Sequence, residues 1–176
     1  MTRIINIFTD AATSPQVGVA VGVTVCFDSH ELLTYSDSSM QSLFATLAVK
    51  VIYTNLESNK STWSEIKNMM GALEDVRAHY GAGHVVNIYT DCQSLCDLLE
   101  KRKEKLISNH FMTRSGKRHA HADLYQSLFA ITAQFTVKTI KLKGHYSKKD
   151  DLSLHEKIFS IIDKLARERL RSVVGL

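Results

Sequence analysis

The sequence has little of several features that mark special classes of protein. It contains one proline and eight glycines among 176 residues, which leaves little material for flexible linkers. Its three cysteines lack the spacing of a zinc site, so we expect packed free thiols. No apolar run approaches the roughly 20 residues that span a bilayer, and the first residues do not resemble a secretion signal. We therefore expect one compact domain over residues 1–176, in the cytoplasm and without a membrane anchor.

The positive charge is concentrated in one part of the chain. The formal net charge is +4, but residues 101–121 alone carry +6, because seven basic residues there face only Glu104. Residues 138–149 add five lysines and no acidic residue, so the rest of the chain is acidic. A basic segment on an acidic body is typical of a protein that binds nucleic acid, although a solvated charged surface gives the same pattern.

Hydrophobic patterning predicts strands that alternate with helices. The strands are expected at residues 3–9 (closed by Asp10), 16–27, 31–36, 48–54, 85–90 and 136–142. The helices are expected at residues 62–79, 93–107, 123–134 and 154–173. This order predicts an α/β domain in which an antiparallel hairpin, formed by residues 16–27 and 31–36, leads into parallel crossovers.

A short internal repeat marks two of the strands. Asn6-Ile-Phe-Thr-Asp10 and Asn87-Ile-Tyr-Thr-Asp91 are nearly the same pentapeptide, and each closes a predicted strand with an aspartate. If these strands are parallel neighbours, Asp10 and Asp91 lie at the same edge of the sheet, about 5 Å apart. Two acids at that edge favour a divalent cation, whereas a single aspartate there would more simply be a turn former or a helix cap.

Two further acids have competing interpretations. Glu65 lies on the apolar face of its helix, where a charge is costly unless it is paired or binds a metal, but it also fits a capping box with Thr62. Asp163 lies at the edge of the apolar stripe of the last helix and is spaced for an ion pair with Arg167. The nearby acids Asp150, Asp151 and Glu156 compete with it for any metal role.

Histidines and aromatic residues add weaker signals. His145 follows the last strand, and an imidazole ordinarily titrates near pH 6.5, which suits a proton carrier. His119 and His121 are poorly spaced for a metal and are assigned to the basic surface. Phe111 is the one aromatic residue of the basic segment that is available to stack.

The order of these motifs resembles that of type 1 ribonuclease H. The similarity runs from about residue 4 to 170. The fourth acid of the family precedes a Leu-Ala-Arg signature, and Asp163 matches this acid. The motifs that carry it are Asp10, Glu65, Tyr89-Thr-Asp91, Ala122-Asp-Leu-Tyr-Gln-Ser-Leu128, Lys143-Gly-His145 and Asp163-Lys-Leu-Ala-Arg167. The resemblance implies a ribonuclease H-like fold: a five-stranded mixed sheet flanked by helices, with a basic protrusion at about residues 101–121.

The resemblance also implies an activity, the endonucleolytic cleavage of the RNA strand in an RNA–DNA hybrid. Two Mg²⁺ ions about 4 Å apart, for which Mn²⁺ is expected to substitute, would be held by Asp10, Glu65, Asp91 and Asp163. Asp10 would bridge both ions, Asp163 would complete the site that activates water, and Glu65 and Asp91 the other site. His145 would assist proton transfer or product release.

The implied partner is the hybrid duplex, bound by a monomer. Its DNA-strand phosphates would pair with the protrusion, and Ser61 or Thr62 would contact a 2′-hydroxyl of the RNA. The chain departs from the family pattern at Ala11 and Ala12, where the family has Gly after its first Asp. The alternatives are a non-catalytic nucleic-acid-binding domain of the same fold and a structure-selective DNA nuclease. The protrusion residues are Lys101, Arg102, Lys103, Lys105, Arg114, Lys117 and Arg118.

Overall fold

The computed structural model describes residues 1–34, 48–53, 61–146 and 151–175. Its strands are β1 (Ile4–Ser14), β2 (Val19–Asp28), β3 (Ala48–Tyr53), β4 (Val85–Thr90) and β5 (Thr136–Lys141). They form one five-stranded sheet in the order β3-β2-β1-β4-β5. β2 is antiparallel to β1 and β3, whereas β4 is parallel to β1 and β5. The predicted mixed sheet is confirmed, but β1 and β2 form its antiparallel hairpin, and not residues 16–27 with 31–36.

Helices flank this sheet. They are α1 (Ser29–Thr34), α2 (Ser61–Tyr80), α3 (Gln93–Asp97), α4 (Lys103–Ser108), α5 (Ala122–Thr132) and α6 (Leu154–Val174), and a π-helical turn (Leu98–Arg102) joins α3 to α4. No helix in the described ranges is both long enough and apolar enough to cross a membrane.

Two hydrophobic clusters hold the helices against the sheet. In one cluster Ile7 of β1 packs with Leu73 of α2 and Leu128 of α5. In the other, Phe8 of β1 packs with Phe159 of α6. Because neighbouring residues of a strand point to opposite faces, Ile7 and Phe8 serve different clusters. α2 and α6 therefore lie on opposite sides of β1, and each brings one acidic residue toward it.

The first strand is longer than the sequence predicts. β1 does not end at Asp10 but continues to Ser14, because the antiparallel partner β2 pairs with it as far as Ser14. The parallel pairing with β4 stops earlier, at Phe8 and Tyr89. Asp10 is thus held inside the hairpin, opposite Val23, and lies beyond the parallel ladder. This position gives Asp10 a firmer backbone than the end of a strand would.

The strand predicted at residues 31–36 is wrong for its described part, because Ser29–Thr34 is helical. Asp28 accepts a hydrogen bond from the His30 N–H through Oδ1, at 3.0 Å. Glu31 accepts one from the Asp28 N–H through Oε2, at 2.9 Å. Asp28 thus caps the second N–H of the helix while Glu31 accepts the Asp28 N–H, and these bonds outweigh the β-propensity of the residues that follow. Residues 35 and 36 lie outside the described ranges, as do 37–47 and 54–60.

The helix predicted at residues 93–107 is interrupted by the π-helical turn. A π-helical turn takes up more residues than an α-helical one. Because the turn takes up an extra residue, Leu98 and Leu106, eight residues apart, lie on the same face of the helical segment. Both side chains are buried in the same cluster. Lys101 and Arg102 of this turn are exposed.

The ends of α6 follow local rules. Ser153 caps the helix through a capping box with Glu156, and Gly175 ends it in the left-handed conformation at φ 75°. Glu156 therefore has a structural role, and Asp151 is exposed, whereas Asp150 lies outside the described ranges. Of the competing acids that lie in the described ranges, Asp163 is the one that remains as a candidate for the site.

Candidate active site

The two repeated pentapeptides lie side by side. β1 and β4 pair in parallel with Asn6 opposite Asn87 and Phe8 opposite Tyr89. Asn87 Nδ2 donates a hydrogen bond to Asn6 Oδ1 at 3.0 Å, which ties the two copies together. The same register carried two residues further places Asp10 beside Asp91. The convergence expected from the sequence therefore follows from strand pairing.

Glu65 reaches this edge from the first turns of α2. Its Oε1 accepts a hydrogen bond from the Ala11 N–H at 3.0 Å. This bond joins the helix to the strand residue next to Asp10, in place of the local bond to Thr62 that the capping-box alternative requires. Ala11, where the family has Gly, uses its backbone for this contact.

Three carboxylates meet at this point. One oxygen from each of Asp10, Glu65 and Asp91 lies within 4.8 Å of the others. Asp10 is 6% exposed and Glu65 is 4% exposed, so little water screens their repulsion. Burial, reinforced by the charges of Asp91 and Asp163, raises the pKa of Asp10 to about 7. Burial and the Asp10 charge likewise raise the pKa of Glu65 well above its usual range.

Asp163 supplies a fourth carboxylate from α6. It is 7% exposed, and its charge raises the pKa values of both Asp10 and Asp91, although it does not belong to the three-oxygen cluster. Its Oδ2 lies 2.6 Å from Arg167 Nη2, so the ion pair expected from the helical spacing is present. Arg167 also lowers the pKa of Asp10, which shows that its charge reaches the cluster.

His145 stands at the rim of the site in a short loop after β5. Its side chain is 73% exposed, and its Nδ1 lies 3.8 Å from Asp163 Oδ2. The preceding Gly144 lies against Asp91, and a Cβ at position 144 would overlap Asp91 Oδ2. Glycine therefore allows the loop that carries His145 to close onto the carboxylates.

These groups line one cleft of about 570 Å³. All four candidate acids, His145 and Arg167 face it, together with the proposed RNA-contacting residues Ser61 and Thr62. Each of the five predicted catalytic residues therefore reaches the same space, from β1, α2, the end of β4, the loop after β5 and α6. The departures Ala11 and Ala12 also line this cleft.

The donor set suits a hard divalent cation. Glu65 Oε2 is buried and has no hydrogen-bond partner among the described residues. A buried carboxylate oxygen without a partner is costly, and it lies in a cluster whose other groups are also carboxylates. Carboxylate oxygens are the ligands that Mg²⁺ and Mn²⁺ prefer, whereas zinc prefers nitrogen and sulfur. Asp10, Glu65 and Asp91 therefore fit such an ion.

The basic segment, residues 101–121, here called the basic projection, contains α4 and the loop that follows it. Met112 and Arg118 are bridged across its loop, and Lys105, Arg114 and Lys117 are exposed. Other members have protein partners: Lys101 pairs with Asp97 at 2.7 Å, Arg118 pairs with Asp123, and Lys103 lies 5.7 Å from the centre of the Phe129 ring. The seven predicted residues are therefore not equivalent.

The stacking role expected for Phe111 is wrong. Phe111 is buried, and its ring packs 6.1 Å from that of Phe129. Other aromatic groups line a pocket of about 270 Å³ that shares Thr62 and Ser94 with the main cleft. Trp63, Arg102, His119, His121 and Tyr125 help to line it. Sequence patterns do not reveal this pocket, because its residues come from four separate segments.

Comparisons with known proteins agree with this architecture. The family model of RNase H matches residues 2–170. The solution structure of the PFV RNase H domain has a TM-score of 0.58 at 19% identity and covers 94% of this chain and 92% of that one. LC9-RNase H1, described as a type 1 RNase H with the type 2 active-site motif, has a TM-score of 0.64 at 11% identity and covers 96% and 72%. LC11-RNase H1, solved in complex with an RNA/DNA hybrid, has a TM-score of 0.57 at 11% identity and covers 97% and 99%.

Two further results delimit these comparisons. No protein with a curated description matches the sequence. The chain spans 20% of the length of a foamy viral protease-reverse transcriptase that was solved with an RNA/DNA hybrid. The fold of these neighbours is the α/β fold described above, with a mixed sheet flanked by helices. Since the family model covers nearly the whole sequence, the chain belongs to the RNase H family.

Proposed function

We propose that this protein is a metal-dependent endonuclease that hydrolyses the RNA strand of RNA–DNA hybrids. The observation that carries the proposal is the meeting of Asp10, Glu65 and Asp91 within 4.8 Å, with Asp163 in the same cleft. These residues come from four separate elements. A cluster of buried acids destabilises the fold and repels phosphate unless cations bind there.

The four carboxylates would hold two Mg²⁺ ions, and Mn²⁺ would substitute for them. When bound, the ions would supply an activated water and a positive charge at the leaving oxygen of the phosphodiester. Arg167 holds Asp163 in place through the 2.6 Å contact and moderates the repulsion around Asp10. The Ala11 N–H holds Glu65 so that its second oxygen remains available for an ion.

His145 is the proposed proton carrier. Its imidazole is exposed at the mouth of the cleft, within 3.8 Å of Asp163 Oδ2. From this position it can take a proton from the cleft on a ring nitrogen and release it to solvent, or assist the departure of the product. General acid–base groups of this kind typically contribute about 10²–10⁴-fold to a rate.

The substrate would extend beyond the cleft in both directions. Ser61 and Thr62 line the cleft. They would contact a 2′-hydroxyl, which is the group that distinguishes RNA from DNA. The basic projection would bind phosphates of the DNA strand, a contact that carries no sequence information. The hybrid bound by LC11-RNase H1, a protein of similar fold, supports this choice of substrate class.

A panel of labelled substrates tests the proposal. The 176-residue protein is incubated in Mg²⁺ with an RNA–DNA hybrid, duplex DNA, branched DNA and duplex RNA, and with the hybrid in EDTA. We expect internal cuts in the RNA strand of the hybrid alone, and none in EDTA. Cleavage of duplex or branched DNA in preference to the hybrid would favour the DNA-nuclease alternative. Tight binding of the hybrid without cleavage in Mg²⁺ or Mn²⁺ would favour a non-catalytic binding domain.

A matched pair of variants assigns any observed activity to this site. Glu65→Gln removes one charge of the cluster, and Glu74→Gln makes the same change on the exposed face of the same helix. We expect the first variant to lose cleavage by at least about 100-fold and the second to retain it. Equal activity of the two variants would contradict the assignment.

A further inference from the structure

The amide of Asn68 lies at the junction of α2, β1 and β2. Asn68 belongs to α2, three residues after Glu65, and it is 1% exposed. Its Nδ2 donates hydrogen bonds to Thr9 Oγ1 and the Asp10 backbone oxygen, both at 2.9 Å, and to the Val23 backbone oxygen at 3.1 Å. One NH₂ group thus ties the helix that carries Glu65 to the strand that carries Asp10 and to the opposite strand of the hairpin.

The space that this amide occupies depends on a glycine. A Cβ at position 22 would overlap Asn68 Oδ1 and Cγ. Gly22 is paired with Ala11 in the β1–β2 ladder, next to the pair formed by Asp10 and Val23. The absent side chain therefore leaves the space through which Asn68 reaches the backbone of Asp10.

Stability alone does not account for this arrangement. Asn68 Oδ1 is buried and has no hydrogen-bond partner in the described part of the chain. Burying an amide with an unpaired oxygen carries a penalty that an apolar side chain of similar size would avoid. Ile66, Met69 and Leu73 of the same helix are apolar and fully packed, so the helix can use such residues. Fold stability therefore does not explain why an amide occupies position 68.

The two acids next to Asn68 offer an explanation. Asp10 and Glu65 lie within 4.8 Å of each other and are both buried, so their like charges repel. The Asn68 amide grips the backbone oxygen of Asp10 itself, while Glu65 lies one turn before it on the same helix. We propose that Asn68, seated against Gly22, is a positioning residue that fixes the separation of the Asp10 and Glu65 carboxylates and thereby sets the affinity of the site for a divalent cation. This inference rests on the proposed function for the identity of the site.

Binding of Mn²⁺, measured by calorimetry without substrate, tests the inference in the full chain. We expect Asn68→Ala to weaken Mn²⁺ binding by about 10–100-fold, the usual effect of losing a group that orients metal ligands. In hydrolysis of the hybrid, we expect kcat to fall while KM for the hybrid stays within about threefold, because the interaction acts on the ligands and not on the duplex. The matched control is Leu73→Ala, which truncates another fully buried side chain of α2. It should lower the melting temperature but leave the Mn²⁺ dissociation constant unchanged.

A double-mutant cycle separates positioning from general packing. Gly22→Ala adds no functional group, yet it should weaken Mn²⁺ binding because its Cβ displaces the amide. In the double variant with Asn68→Ala the displaced group is gone, so we expect Mn²⁺ affinity within about threefold of Asn68→Ala alone. Should Asn68→Ala fail to fold, the Mn²⁺ affinity of Gly22→Ala, which retains Asn68, is compared with that of the unaltered protein instead.

The outcomes distinguish this inference from the proposed function. Failure of the unaltered protein to bind Mn²⁺ would contradict the metal site itself. Normal Mn²⁺ affinity in Asn68→Ala, or in Gly22→Ala where the first variant does not fold, would overturn the positioning role alone. Additive losses in the double variant would also overturn it, because they would show that the two residues act independently.

Discussion

The rings of Phe8 and Tyr89 stack face to face, with centroids 4.5 Å apart and planes inclined by 9°. These residues occupy the same place in the two repeated pentapeptides and are partners in the β1–β4 register. Residues two positions further along each strand point to the same face, which places Asp10 and Asp91 side by side. A stacked aromatic pair contributes about 0.5–1.5 kcal/mol beyond its buried area. The repeat therefore stabilises the register on which the carboxylate pair depends.

Substitution of Gly144 should impair catalysis with little effect on stability. Gly144 does not have a left-handed φ, so alanine is acceptable to its backbone, but the added Cβ would displace Asp91 Oδ2. We expect Gly144→Ala to lower kcat on the hybrid by at least about 10-fold, because the position of a ligand is critical to about 1 Å. Steady-state kinetics and a thermal melt measure the two effects.

The control for this prediction is a glycine at the far end of α2. Gly81 has a φ of 86° and open space around its Cβ position. Gly81→Ala should therefore cost about 1–2 kcal/mol of stability through backbone strain while leaving kcat unchanged. If Gly144→Ala were fully active, the close approach of the His145 loop to Asp91 would have no functional meaning.

The stability of the metal-free protein should fall as the pH rises through neutrality. The pKa of Asp10 is raised from an ordinary value of 3.8 to about 7, so the folded state holds this proton more tightly than the unfolded state does. The resulting stabilisation is complete below about pH 4 and is lost as the pH approaches and passes 7. Its upper limit is on the order of 4 kcal/mol.

Urea unfolding in EDTA at several pH values checks this prediction. Asp10→Asn cannot ionise at position 10, so it should lose less stability than the original protein between pH 5 and 8. Addition of Mg²⁺ at pH 8 should stabilise the original protein and have much less effect on the variant, because only a folded site binds the ion. If the free energy of unfolding of both proteins changed with pH in the same way, the raised pKa of Asp10 would not be the cause of the pH dependence.

Neutralisation of the exposed lysines and arginine of the projection should weaken binding and its salt dependence together. We expect the triple variant Lys105→Gln, Arg114→Gln, Lys117→Gln to bind the hybrid less tightly. The slope of log affinity against log salt concentration should fall by about 0.9 for each phosphate that the variant no longer neutralises. Fluorescence anisotropy in Ca²⁺ measures binding without cleavage.

The control for this experiment is Arg77→Gln. Arg77 is exposed near the end of α2, twelve residues beyond Glu65, and therefore about 18 Å along the helix from the acidic cluster. It should leave both affinity and salt slope unchanged. An unaltered slope in the triple variant would show that the projection does not bind phosphates.

The order of strands and helices, and the convergence of Asp10 with Asp91, could be predicted from the sequence because they depend on local patterns. Periodicity identified α2 and α6, and the repeated pentapeptide pointed to two equivalent strand ends. β1 was predicted too short because the extent of a strand depends on its partner, here β2, and not on its own residues. The β-rich residues after Ser29 predict a strand, whereas the bonds of Asp28 with the first turn make Ser29–Thr34 helical.

Other features of the site could not be predicted, because they arise only when distant segments meet. Spacing alone left Glu65 between a local cap and a metal ligand, and the structure shows its bond to Ala11. Nothing in the sequence indicated that Asn68 would reach the backbone of Asp10 through the space left by Gly22. The sequence offers Phe111 for stacking on the substrate, yet Phe111 is buried and packs against Phe129 of α5.

Cleavage by Asp10→Asn tests the central claim most directly. Asn keeps the shape of the side chain but removes the charge that would hold the cations, so the fold should persist, as judged by circular dichroism. We predict that this variant still binds the hybrid, yet cuts its RNA strand at least about 10³-fold more slowly in saturating Mg²⁺. Cleavage by the variant at the original rate would contradict the proposed role of the four carboxylates.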